Sequence, residues 1–216
     1  MEFWILARLL VAISLPLVVL AKPGDTDKQA YCALLAAKGD CDFYDQCVEQ
    51  WTQACGKSGY ALGYGGKYCR KFAVKLQMFN AAGQKWINNV RLCLEDQLLH
   101  SSVYAHNSSC KELNKFGYST HPYCYVDNGF CQVVLTDKQN LDALFTTVTV
   151  SDLAWPPEAV KAICDTLKVC HEIGSYDMIA RDDERLTGVV PTFLTWLAQI
   201  ANDYPILSNI ACDLYR

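Results

Sequence analysis

The chain is poor in basic residues: 19 Lys and Arg stand against 23 Asp and Glu, a formal net charge of −4. A nucleic-acid binder shows a basic surface, so nucleic acid is excluded as a partner. Charge of either sign is sparse, at 19% of residues against 51% hydrophobic, which excludes a disordered chain. Twelve glycines and seven prolines in 216 residues are too few for a low-complexity sequence. No Cys-x-x-Cys occurs, and His100, His106, His121 and His171 are scattered. Structural zinc and thioredoxin-type redox chemistry need that close pairing, so no metal or other cofactor is expected. Gly-x-Ser-x-Gly, His-Glu-x-x-His and EF-hand spacing are also missing, as is a phosphate loop, because Gly66-Lys67 is followed by Tyr68. No catalytic residue is nominated, and His121-Pro122 reads as a turn before a helix. Alternating strand patterns are nearly absent, since Val133–Leu135 and Thr146–Val150 are too short to build a sheet.

What the chain does have is twelve cysteines, an even number, nine of them within residues 32–131. Residues 1–21 have the form of a secretory signal, with Arg8 before the uncharged run Leu9–Leu20 and a cleavage point after Ala21. That run is shorter than the roughly 20 residues a spanning helix needs. The uncharged stretch Leu186–Asn202 is broken by polar residues and Pro191, and it reads as an amphipathic helix. The mature protein is therefore expected to be secreted and extracellular, with no membrane insertion after signal removal. In that compartment the cysteines form a staple of disulfides. The sequon Asn107-Ser108-Ser109 marks Asn107 as a glycosylation site.

Helical periodicity dominates the rest. Cys41, Cys47, Val48, Trp51 and Cys55 fall near one face of a helix opened by Asp40. A glycine-rich loop follows, with Gly56, Gly59, Gly63, Gly65 and Gly66. Its Tyr60 and Tyr64 read equally well as exposed contact residues or as core. Further apolar stripes run through Tyr68–Phe79, Trp86–Leu98, Cys110–Phe116, Leu141–Val148 and Val160–Cys170. Pro156-Pro157-Glu158 suits a helix's first turn, and Arg181–Arg185 reads as a solvated connection. The expected fold is all-α, a disulfide-crosslinked helical domain. Residues 1–21 are the signal, 22–30 a short N-terminal segment, 31–172 the cysteine-rich helical domain and 173–216 a C-terminal helical extension.

The loop Tyr64–Cys69 is similar to the calcium loop of secreted phospholipase A2. That family also needs a His-Asp pair beside a cysteine, which Cys170-His171-Glu172 does not supply. A broader likeness lies in the cysteine order. It comprises Cys32-x8-Cys41, Cys47, Cys55 and Cys69, then Phe79-x3-Gly83-Gln84-Lys85-Trp86, Cys93, Cys110-x13-Cys124-Tyr125, Cys124-x6-Cys131 and Cys164. Over residues 31–165 the chain resembles the stanniocalcin family of secreted glycoprotein hormones, as a distant, invertebrate-type relative. The resemblance implies an α-helical domain with pairs Cys32–Cys47, Cys41–Cys69, Cys55–Cys110, Cys93–Cys124 and Cys131–Cys164. It also implies a homodimer linked through a cysteine nearer the C-terminus. Cys170 is extra to the family pattern. Cys170 and Cys212 therefore either close a sixth bridge or leave Cys212 for the interchain bond.

The function so implied is binding without catalysis, in calcium and phosphate homeostasis or in inhibition of an extracellular metalloprotease of the pappalysin type. The partner would be an extracellular protein, a receptor or that protease. An extracellular matrix or mineral-associated structural protein is the alternative, with a secreted hydrolase behind it.

Overall fold

The computed structural model describes residues 23–105, 108–148 and 157–173. All regular structure among them is helical, as the sequence predicts. The chain begins with α1 (Pro23–Lys38), so residues 23–30 belong to a helix that runs into the cysteine-rich domain. Gly39, at φ 60, ends it.

The next helix departs from the expected one. Tyr44–Val48 winds as a π-helix and passes into the short α2 (Glu49–Trp51). The wider winding breaks the 3.6-residue period. Thr52 then turns extended and its hydroxyl donates to the Val48 carbonyl at 2.5 Å, so the helix stops before Cys55. The glycine-rich stretch is also helical where a loop was expected. Gly56–Ser58 forms a 3-10 turn, and Tyr60–Gly65 forms a second π-helix that feeds directly into α3 (Gly66–Lys75).

The longest helix is α4 (Ala81–Leu99). Its N-cap, Asn80, accepts from the Gly83 backbone N–H, the cap geometry that short polar side chains favour. Short helices α5 (Ser102–Ala105), α6 (Cys110–Ser119), α7 (His121–Asp127) and α8 (Phe130–Val133) follow. Ser109 and Glu112 close a reciprocal capping box at the start of α6. After α9 (Lys138–Thr147), α10 (Pro157–Glu172) starts on a proline with Glu158 in its first turn, as expected.

Two buried clusters lie along α4. Trp86, Ile87, Val90 and Leu94 pack into one with Phe130, Val134, Leu141 and Leu167. Leu98, one turn further, packs into the other with Phe43, Tyr44, Tyr60, Leu113 and Tyr118. Around this axis α1 lies on α4, α10 lies across α6 and α7, and α9 packs on α3. Among the described residues no helix is long and apolar enough to cross a membrane.

Candidate functional site

Four bridges join the cysteines that the resemblance pairs: Cys32–Cys47, Cys41–Cys69, Cys55–Cys110 and Cys93–Cys124. Their Cα–Cα distances of 5.6 to 5.8 Å are normal for a disulfide. The fifth expectation is corrected: Cys131 bonds Cys170, not Cys164. The reason is helical phase. Ile163, Leu167 and Cys170 share the face of α10 that packs into the Phe130–Val134 cluster, whereas Cys164 sits about 100° round the helix from Ile163. Cys170 is wholly buried there beside Cys131. It is therefore no candidate for an interchain or sixth bridge. Cys164 is itself disulfide-bonded. Asn107, Cys212, the segment 1–21 and the expected helix 186–202 lie outside the described residues.

The two clusters of the fold do not close completely on each other. Between them lies a cavity of about 110 Å³. Tyr60, Tyr64 and Tyr68, four residues apart, present their rings to it from the glycine-rich stretch and α3. Neighbouring rings in that series stand 6.0 Å and 4.8 Å apart. Tyr118 meets Tyr60 edge to face at 5.2 Å and Tyr64 at 4.7 Å. Such pairs are worth about 0.5–1.5 kcal/mol each beyond the area they bury. Tyr60 is 1% exposed, so of its two readings the core reading holds. From the α7 side come His121 and Tyr125, whose rings meet at 5.3 Å. Trp86 supports them by donating its indole N–H to the Tyr125 carbonyl at 3.2 Å.

Burial dominates the electrostatics here. It holds the Tyr44, Tyr60, Tyr118 and Tyr125 hydroxyls well above their usual range, so all four stay protonated. His121 Nδ1 lies 2.7 Å from the Gly117 carbonyl, which can only accept, so the proton sits on that nitrogen. Burial lowers the imidazole to about 4 against the smaller opposing effect of that bond, and the ring is neutral.

On α4, Glu95 is fully buried and pushed up to about 9, chiefly by desolvation, with Arg91 only partly opposing. Its Oε1 lies 3.8 Å from Cys69 Sγ, which carries no hydrogen in its disulfide. Its Oε2 has no partner. Arg91 donates a terminal N–H to the Gly39 carbonyl, while its buried Nε–H has no acceptor.

Sequence reasoning found Tyr60 and Tyr64 but missed Tyr44, Arg91, Glu95, Tyr118 and His121 as parts of one place. A charged pair one turn apart inside an apolar helix, Arg91 and Glu95, was the available signal. Among the described residues no three His, Cys, Asp or Glu side chains group as a metal site. Comparison of the chain with protein-family models, curated proteins and solved structures finds no match.

Proposed function

We propose that this is an exported regulator of the stanniocalcin kind, which acts by binding an extracellular protein rather than by catalysis. The observation that supports the reading is the bridge order. Four pairings implied by the family resemblance are those of the structure, and each of the four interleaves with the next, an order that simple neighbour pairing would not produce. Multiple disulfides suit an oxidising compartment, and residues 1–21 supply the export signal. On this reading the mature chain begins at Lys22 and carries a glycan on Asn107. Its target is a receptor or a metalloprotease of the pappalysin type, met by a monomer or a disulfide-linked homodimer.

The test is direct. Protein recovered from the medium of secreting cells is mixed with a pappalysin-type metalloprotease, and cleavage of a peptide substrate is followed. Dose-dependent loss of cleavage is expected, with saturation near stoichiometry. Undiminished cleavage in large excess, together with no retention of the protease on immobilised protein, would rule out this target. Intact mass before and after reduction reports the homodimer, whose mass would halve.

A further inference from the structure

Helix α1 packs on α4 with one side, yet its sequence marks no outer side. From Ala30 to Ala37 it reads Ala-Tyr-Cys-Ala-Leu-Leu-Ala-Ala, two full turns whose single polar side-chain group is the Tyr31 hydroxyl. A helix that is apolar all round is ordinarily buried all round. This one is not. Cys32, Leu35 and Ala36 are buried against the body, whereas Ala30, Ala33 and Ala37 are exposed, and so are Tyr31 at 46% and Leu34 at 51%. At about 100° per residue, Ala30, Leu34 and Ala37 fall together in the middle of the outward face. Alanine at two of these three positions lets a second helix come close.

The charges beside this face select what covers it. Asp27 and Lys38, both exposed, lie on one edge of it, within about 20° of each other round the helix. Neither forms an ion pair with another described residue. The opposite edge, with Thr26, Gln29 and Ala33, carries no charge. A second α1 laid antiparallel on the face is related by a twofold axis that keeps like edges together and reverses their direction. Asp27 of each copy then meets Lys38 of the other, and Leu34 lies over the other copy's Ala30. A parallel pair sets the charged edge against the uncharged one and matches nothing. Opposed helix dipoles favour the antiparallel order as well.

We propose that the outward face of α1 is a self-association surface, on which two copies of this chain pair antiparallel through Ala30, Leu34 and Ala37 with Asp27 and Lys38 joined across the pair. The contact needs no interchain bridge, so it stands apart from the disulfide-linked homodimer considered above. About three turns of helix from each copy bury less than the roughly 1,200 Å² of a stable interface, so the pairing is weak and reversible.

The test uses the full secreted protein with its bridges intact, treated with a zero-length carbodiimide cross-linker and mapped by peptide mass spectrometry. Within one helix Asp27 and Lys38 stand roughly 16 Å apart along the axis, so an amide between them forms only between copies. That amide is expected at protein concentrations of about 1 mM, and sedimentation over the same range measures the association. Denaturing, non-reducing electrophoresis of untreated protein reports a covalent dimer separately.

Leu34→Glu places a charge at the centre of the exposed face and should abolish the cross-link while the unfolding midpoint stays unchanged. Lys38→Glu turns both symmetry-related pairs repulsive and should weaken association about tenfold. Adding Asp27→Lys to it should restore association. The two reversals oppose the helix dipole at both ends, so the recovery cannot come from a firmer helix. Absence of the Asp27–Lys38 amide at about 1 mM would overturn the proposal. A Leu34→Glu protein that still forms it, or a double reversal that recovers nothing, would overturn it equally.

Discussion

At residue 117 it is the lack of a side chain that decides where a ring can lie. A Cβ on Gly117 would come within 2.5 Å of the Tyr60 ring. Gly117→Ala should therefore push Tyr60 out of its place and cost about 1–3 kcal/mol, as overpacking in a close-packed core does. A lower urea midpoint at unchanged slope would report it, and an unchanged midpoint would contradict the packing described. Glu95 and His121 set a pH dependence with opposite signs. Glu95 keeps its proton in the fold to about 9 but loses it near 4.5 when unfolded. The stability it lends is whole below 4.5 and drains away as the pH rises towards 9. His121, neutral in the fold down to about 4, withdraws stability as the pH falls from 6.5 towards 4. Between 4.5 and 6.5 the two offset each other, and from 6.5 to 9 Glu95 acts alone, at up to about 1.4 kcal/mol per pH unit. Urea midpoints taken across pH should be level in the first interval and fall in the second. Glu95→Gln should remove the fall, and a profile unaltered by that substitution would assign it to other groups.

At the scale of the element, the joint between α4 and α9 rests on polar side chains. Asp137 caps α9 by accepting from the Asn140 N–H at 2.9 Å, and its other oxygen accepts from Asn80 Nδ2 at 2.9 Å. Asn140, wholly buried, accepts from the Asn80 N–H and donates to the Val133 carbonyl. A Cβ at Gly83 would collide with the Asn140 amide, which gives the Phe79-x3-Gly83 segment a packing reason. Asp137→Ala removes a cap and an interhelix bond together and should cost about 1–2 kcal/mol, measured by thermal or urea unfolding. A change under a few tenths would mean that water replaces the carboxylate. The stripe Trp86–Val90–Leu94–Leu98 made α4 legible in the sequence, because every step of four lands on one face. The stretches Tyr44–Val48 and Tyr60–Gly65 were not legible. A π-helix has no apolar period of its own in so few residues, and glycines at 59, 63, 65 and 66 carry the signature of a loop. The cavity was hidden for the same reason, since three of its tyrosines, Tyr44, Tyr60 and Tyr64, come from those two stretches.

Across the whole molecule, among the described residues, three bridges tie helix to helix, and those of Cys41 and Cys55 tie the segments between helices to α3 and α6. Non-reducing peptide mass spectrometry should find Cys131 linked to Cys170, and a Cys131–Cys164 peptide would refute the packing of α10 given above. Cys170→Ser should cost about 2–4 kcal/mol, the usual value of a native bridge, seen as a lower unfolding midpoint. Helical periodicity together with the cysteine count conveyed an all-α stapled body, and cysteine order added only the pairing that the resemblance implies. That order could not separate Cys164 from Cys170, because the choice depends on the rotation of α10 about its own axis, which its packing on α6 and α7 fixes.

Followed along the chain, the bridges 32–47, 41–69, 55–110 and 93–124 overlap, each opening before the previous one closes. The fifth, 131–170, opens only after the fourth has closed. A protease that cut anywhere between residues 32 and 124 would leave two pieces still tethered under denaturing, non-reducing conditions. A cut between 124 and 131, where the chain turns through Asn128 and the left-handed Gly129, is spanned by none of these five bridges. Between Cys32 and Cys170 the network of these five bridges therefore has one seam, which none of them holds shut.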